Sequence, residues 1–363
     1  MKRIAIVVGT RPNFIKVTQF PAELRKYADK VEFKLIHTGQ HFDEKMSKVF
    51  FQQFKMEPDV YLNVEGPADA QMENTKAALE KAFLDYKPDL VVVVGDVNST
   101  AWAAVTAFKL KIKLAHVESG LRSFDMTMPE ELNRILTDKI ADHLFVTEQS
   151  GVDNLLKEGK PREKIFFVGN TMIDTMMAFR QEIDASEVLK KLSLESQKFV
   201  LMTMHRPATV DSLDGLTLLI ALIDAVTEKY KVVFPVHPRT ILKLRDFRLR
   251  EKITANRNLV ITEPLDYFSF QKLIKECKFI LTDSGGIQEE STFLQVPCLT
   301  LRPNTERPST VTIGTNELIP FTLPEIQTKI REIEDGKYKK GGIPPLWDGK
   351  ATERIVEALV KLA

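Results

Sequence analysis

Three carboxylates stand where apolar runs give way to polar residues: Asp96 in VVVVGDVNST, Glu118 in KLAHVESGLRS and Glu130 in MPEELNR. A carboxylate just past a strand either caps the next helix or handles protons, and Asn98, Ser99 and Thr100 behind Asp96 suit capping. Glu118 comes two residues after His116, so strand alternation sets both on one face, an arrangement harder to assign to packing. Pro129 marks a helix start, with Glu130 and Glu131 in its first turn and Arg134 four residues after Glu130. Taken alone, these charges are accounted for by dipole compensation and a helical ion pair. Taken together, carboxylates gathered at adjacent strand ends shift one another's acidity, as acid and base chemistry requires.

A second set of residues suits anions. In IAIVVGTRPNFIK a strand ends at Gly9 and a helix starts at Pro12, leaving backbone N–H groups beside Arg11 and Lys16 as a diphosphate cradle. The single glycine is not the G-x-G-x-x-G fingerprint and argues against NAD. MTMHRPATVD places His205 and Arg206 past one strand and VVFPVHPRT places His237 past the next, which points to anion or proton handling. No zinc-ligand spacing accompanies them, so neither a metal nor another cofactor is expected. In FILTDSGGIQEE, Asp283, Ser284, Gly285 and Gly286 join a strand to a helix, a geometry that brings backbone close to phosphate. Glu289 and Glu290 come one turn later, where a carboxylate accepts ribose hydroxyls, and TERP adds Glu306 and Arg307.

The elements that must position these groups are short β-branched runs alternating with amphipathic stretches, the pattern of βαβ units in parallel sheets. IAIVVG, FKLIHT, LVVVVG, KLAHVE and HLFVT form one series; FVLMTM, VVFPVH, LVIT, FILTD and PCLTL form a second. Two α/β domains with Rossmann-like sheets are therefore expected, residues 1–168 and 169–348, with a terminal helix over 349–363 returning to the first. A length of 363 residues agrees with two cores. Ligands of open parallel sheets sit beyond the carboxyl ends of the strands, so facing sheets would hold a substrate in the cleft between them. The 51 basic and 50 acidic residues leave no field to attract nucleic acid or a membrane surface. No run is long and apolar enough to span a bilayer, the first apolar run is too short for a signal peptide, and two cysteines suggest no disulfide framework; the expected compartment is the cytoplasm.

GTRPNFIK, HTGQHFD, GDVNST, HVESGLRS, MPEELNR, VGNTMID, HRP, PVHPRT, DSGGIQEE and NTERP, in that order, resemble the non-hydrolysing UDP-N-acetylglucosamine 2-epimerases across nearly the whole chain. The resemblance implies the glycosyltransferase-B architecture, usually as a homodimer, and reversible inversion at carbon 2 of the sugar through elimination and re-addition of UDP. It implies catalytic roles for Asp96, Glu118, Glu130 and His205. UDP contacts would fall on Arg11, Lys16, His237, Ser284, Gly285, Gly286 and Glu290, with Phe270 near the uracil, Arg307 near the substrate and Arg134 a further site residue. Gln40 matches a position that helps bind a second, activating substrate in some relatives, while Asn13, Pro207 and Ala208 depart from the common pattern. A hydrolysing epimerase, an epimerase of a modified UDP-sugar, a glycosyltransferase and a non-catalytic nucleotide-sugar sensor remain the alternatives.

Overall fold

The computed structural model describes residues 1–39, 51–62, 64 and 71–362; Gln40 lies outside them. The chain divides into two compact units, Met1–Ala178 with Pro345–Ala363, and Phe179–Pro344.

The first unit is built on seven parallel strands: β1 (Lys2–Val8), β2 (Val31–His37), β3 (Val60–Tyr61), β4 (Leu90–Val94), β5 (Lys113–Val117), β6 (His143–Val146) and β7 (Ile165–Phe167), in the order β3-β2-β1-β4-β5-β6-β7. Runs such as LVVVV are buried throughout because helices cover both faces of the sheet, and no polar alternation is needed. One face packs Ala5, Val7, Val91 and Val93 against Leu79, Phe83, Ala103 and Ala107 of the helices Gln71–Tyr86 and Asn98–Lys109.

The second unit repeats the plan with β8 (Phe199–Thr203), β9 (Lys231–Pro235), β10 (Leu259–Thr262), β11 (Phe279–Thr282), β12 (Cys298–Thr300) and β13 (Asn316–Leu318), in the order β10-β9-β8-β11-β12-β13. Alternate residues of β8 feed two cores: Val200 and Met202 pack with Leu216, Leu219 and Ile223, whereas Phe199 and Leu201 pack with Leu273, Ile274 and Ile287. Each such buried aliphatic side chain contributes roughly 1.5–3 kcal/mol.

In each sheet the strand order reverses once, between β1 and β4 and between β8 and β11. Chains leave these neighbouring strands towards opposite faces, which opens a crevice at their carboxyl ends where open sheets bind ligands. Gly9 and Gly95 follow the first pair; Met204 and Asp283 follow the second.

The helix Ala351–Leu362 packs in the first unit against the helices Phe20–Arg25 and Thr171–Ala178. Its free amino end is met by the buried carboxylate of Asp174, which accepts from the Ala351 N–H at 3.1 Å and from the Thr352 N–H. Trp347, just before it, donates from Nε1 to the Thr147 carbonyl at 3.0 Å. The division between units comes after Ala178 rather than at residue 168, because the helix Thr171–Ala178 packs on Arg11–Val17 and Ala351–Leu362 of the first unit. Among the described residues no helix is long and apolar enough to cross a membrane.

Candidate functional site

At the switch point of the first unit the chain makes two left-handed turns. Gly95 has φ +67°, and a Cβ there would come 3.1–3.3 Å from Asn13 Nδ2, Lys16 Nζ and Glu118 Oε2, so only glycine leaves these groups room. Glu118, directly after β5, has φ +71°. For a glutamate this conformation costs about 1–2 kcal/mol, strain of the kind that gathers at functional positions. It turns Glu118 off the face expected from strand alternation. His116 stays in the sheet, its Nδ1 2.6 Å from Asp138 Oδ1 and its Nε2 donating to the Gly95 carbonyl at 2.8 Å. Burial alone would raise the Asp138 pKa, but His116 and Arg122 outweigh it and hold the carboxyl below its usual range. The group braces the Gly95 turn from beneath.

Glu118 instead meets Lys16; both side chains are buried and the pair is in direct contact. Lys16 is thus turned towards Glu118 rather than outward beside Arg11, which is half-buried in the first turn of the helix Arg11–Val17. Asp96 does not cap the helix Asn98–Lys109, which starts at Val97 without a side-chain cap. Thr100 donates to the Val94 carbonyl at 2.7 Å and Ser99 contacts Thr38, so the predicted cap residues serve other partners. The Asp96 carboxylate accepts from Arg134 Nε at 3.0 Å.

Arg134 is 1% exposed and bridges two acids. Besides Asp96 it contacts Glu131, three residues back, and not Glu130, which projects outward. Glu131 is fully buried and accepts from the Ser123 N–H at 2.9 Å, the Ser123 hydroxyl at 3.0 Å and the Phe124 N–H at 3.0 Å. The ion pair expected from Glu130 forms from Glu131 instead: Glu131 takes the inward position and Glu130 is left on the outer surface.

In the second unit, His205 follows β8 and Asp283 follows β11, side by side at the other switch point. Asp283 is fully buried and its Oδ1 lies 3.0 Å from His205 Nδ1. The rings of His205 and His237 are 5.3 Å apart. His237 starts the helix Pro238–Asp246 and its Nδ1 accepts from the Arg239 N–H at 3.1 Å. Ser284 and Gly285 lead into the helix Gly286–Phe293, and all three residues of the Ser284–Gly286 turn are half-exposed. A Cβ on Gly285 would sit 2.7 Å from Glu306 Oε1 and 3.1 Å from Arg307 Nη1, which explains the glycine where buried charges press against the turn.

Behind this turn Arg307 lies 2.7 Å from Glu289 and 2.6 Å from Glu306, while Arg302 lies 3.2 Å from Glu306, all four buried. Among the described residues no such cation pairs with Glu290; Gln271, on the helix Tyr267–Glu276 that also carries half-buried Phe270, donates to it. Burial first, then the charge of Glu289, push the Glu290 pKa up from 4.5 to about 8 against the opposing hydrogen bond of Gln271. Between these values the unfolded chain has lost this proton and the folded chain keeps it, so folding stability falls as pH rises from about 4.5 to about 8. Glu290→Gln is therefore expected to raise Tm relative to the parent by an increment that grows from pH 5 to pH 8. An increment that stays constant or shrinks in thermal melts would contradict the protonated state.

Two sheets of the same winding, each with charged and glycine-rich turns at its switch point, define a Rossmann-like α/β protein of the glycosyltransferase-B fold class. The model of the UDP-N-acetylglucosamine 2-epimerase family matches residues 23–360, and the chain belongs to that family. It is 40% identical over 364 residues to the UDP-N-acetylglucosamine 2-epimerase of Methanocaldococcus jannaschii, covering 98% of each chain. It is 36% identical to the UDP-2,3-diacetamido-2,3-dideoxy-D-glucuronate 2-epimerase of Pseudomonas aeruginosa, over 99% of this chain and 100% of that one. The crystal structure of the Methanocaldococcus jannaschii UDP-GlcNAc 2-epimerase in complex with UDP-GlcNAc and UDP superposes with a TM-score of 0.89 at 39% identity, covering 99% of each chain.

Proposed function

We propose that the chain interconverts UDP-N-acetylglucosamine and UDP-N-acetylmannosamine by anti elimination of UDP and re-addition to 2-acetamidoglucal, without hydrolysis. The hydrogen on carbon 2 is not acidic, because no carbonyl adjoins it. Breaking the bond from C1 to the diphosphate oxygen sends its electron pair to UDP and leaves an oxocarbenium-like centre that acidifies this hydrogen. A carboxylate then takes the proton and the C–H pair becomes the C1=C2 double bond. In return, an acid protonates carbon 2 from the opposite face as UDP re-forms the bond to C1. Asp96, Glu118 and Glu130 are assigned the acid and base work. Arg11, His205, His237 and the amino end of the helix Gly286–Phe293 are assigned the charge that builds on the diphosphate. Phe270 and Glu290 are assigned to uracil and ribose, and Arg307 to the substrate's surroundings.

The observation that carries this reading is the pair of carboxylates around the Gly95 turn, each in contact with a cation: Glu118 with Lys16, and Asp96 with Arg134, which also meets Glu131. Carboxylates held beside a cation at a strand end are placed for proton transfer. NMR of UDP-N-acetylglucosamine incubated with the protein in deuterated water tests it: deuterium enters carbon 2 while UDP stays attached. Stoichiometric free UDP would instead favour hydrolysis, and absence of exchange would sink the epimerase reading. The Pseudomonas aeruginosa relative favours one second reading, a diacetamido uronate in place of N-acetylglucosamine; exchange with that sugar alone would select it.

The chain is further proposed to act in the cytoplasm as a homodimer supplying precursors of cell-surface polysaccharide. Leu132 and Leu136, one turn apart on the helix Pro129–Ile140, are 49% and 41% exposed and give an apolar face suited to a second copy. Light scattering should give twice the chain mass of 41.3 kDa; a monomer at micromolar concentration would contradict the dimer.

A further inference from the structure

We propose that Asp283 is a positioning residue that decides which ring nitrogen of His205 carries hydrogen, and through it the group that meets the departing diphosphate. The inference deepens the functional reading above and rests on it for the identity of the anion, though not for the state of the ring. Asp283 is the first residue after β11 and His205 the second after β8, so pairing of these strands at the switch point brings together residues far apart in the chain. The Asp283 carboxylate accepts the backbone N–H of His205 at 2.9 Å and that of Arg206 at 2.9 Å, and its Oδ1 lies 3.0 Å from His205 Nδ1. Two backbone bonds fix the carboxylate on the same loop that carries the ring.

A carboxylate only accepts, so the hydrogen between Asp283 and the ring belongs to Nδ1. Burial would raise the Asp283 pKa, but the side-chain and backbone hydrogen bonds of His205 and Arg206 outweigh it and keep the group an anion. With Nδ1 engaged, Nε2 of His205 is the nitrogen left to face an anion, and its ring remains 36% exposed. The neighbouring ring has the opposite arrangement: Nδ1 of His237 accepts from the Arg239 N–H, which leaves the hydrogen on Nε2. Partial desolvation first, then His205 and Arg239, hold His237 below the ordinary histidine pKa. The charged groups around the pair, Asp283, Arg206 and Arg239, thus set one ring against a fixed anion and the other against a backbone donor. When the C1–O bond breaks and its electron pair goes to the diphosphate, that charge is met at Nε2 of His205 once this nitrogen has also taken a hydrogen from solvent, the ring then donating to the diphosphate from Nε2 and to Asp283 from Nδ1.

The test is a long-range proton–nitrogen NMR spectrum of the full-length protein, with His205 assigned by its loss in His205→Gln. Where the rings are neutral, His205 is expected as the Nδ1–H tautomer and His237 as Nε2–H. In Asp283→Asn the side-chain amide is able to donate to Nδ1, and the His205 hydrogen should move to Nε2. kcat for UDP-N-acetylglucosamine should fall about 100-fold with KM changed less than about threefold. In a His205→Gln background the same substitution should cost less than about threefold more, because Asp283 acts through the ring. A wild-type His205 with its hydrogen on Nε2 overturns the proposal, even if Asp283→Asn does not fold; so does an equal kcat loss from Asp283→Asn with and without His205. A wild-type protein with the expected tautomers that never turns over the sugar overturns the epimerase reading instead.

Discussion

Replacing Glu118 by glutamine is expected to slow epimerisation about a thousandfold, within the 100- to 10,000-fold range of general acid–base groups, while leaving the protein folded. Glutamine keeps the size of the side chain and a carbonyl oxygen that accepts from Lys16, so the buried contact with Nζ survives in weaker form. What it lacks is a lone pair basic enough to take a proton from carbon. The left-handed backbone at Glu118, φ +71°, presents that carboxylate beside Gly95, and glutamine at the same position keeps the strain without the base. The expected signature is a parallel loss of deuterium incorporation and of product, with an unchanged far-ultraviolet circular dichroism spectrum. Activity within threefold of the parent would remove Glu118 from the chemistry.

Arg134→Met is expected to cost about 3–5 kcal/mol of unfolding free energy, because it strands a buried anion. Glu131 has no exposure, and its remaining donors are Ser123 and the backbone of Phe124, none of them charged. The same change removes the contact of Arg134 with the Asp96 carboxylate, so activity should fall with stability. The double variant Glu131→Gln with Arg134→Met removes both charges together and should recover part of the stability but none of the activity. Urea denaturation of both variants separates these effects; a cost below about 1 kcal/mol for Arg134→Met would mean that Glu131 does not depend on this cation.

Of the thirteen strands among the described residues, ten were legible as short apolar runs, and their alternation with helices was enough to indicate two doubly wound units. β3, β7 and β13, of two or three residues each, did not stand out as strands of their own. The residues at the strand ends were visible by type, yet their partners were not. Lys16 and Glu118 are 102 positions apart, and a helix-start lysine looks the same in sequence whether it faces solvent or a buried carboxylate. Asp283 read as part of a phosphate turn, since nothing local ties it to a histidine 78 positions earlier. Glu130 and Glu131 were indistinguishable until the helix phase was known. His116 and Glu118 looked like neighbours on one face because a left-handed residue at a strand end leaves no mark in side-chain pattern alone.

The route of the chain also constrains how the protein is made. Residues Phe179–Pro344 are synthesised between the two stretches that form the first unit. On a ribosome adding about 5–20 residues per second, the opening seven strands wait on the order of ten to thirty seconds for the helix Ala351–Leu362 that completes their packing. During that interval the apolar sides of Phe20–Arg25 and Thr171–Ala178 are bare, whereas the later-made unit closes its cores from one uninterrupted stretch. Maturation thus runs against the direction of translation: the half that emerges first is finished last.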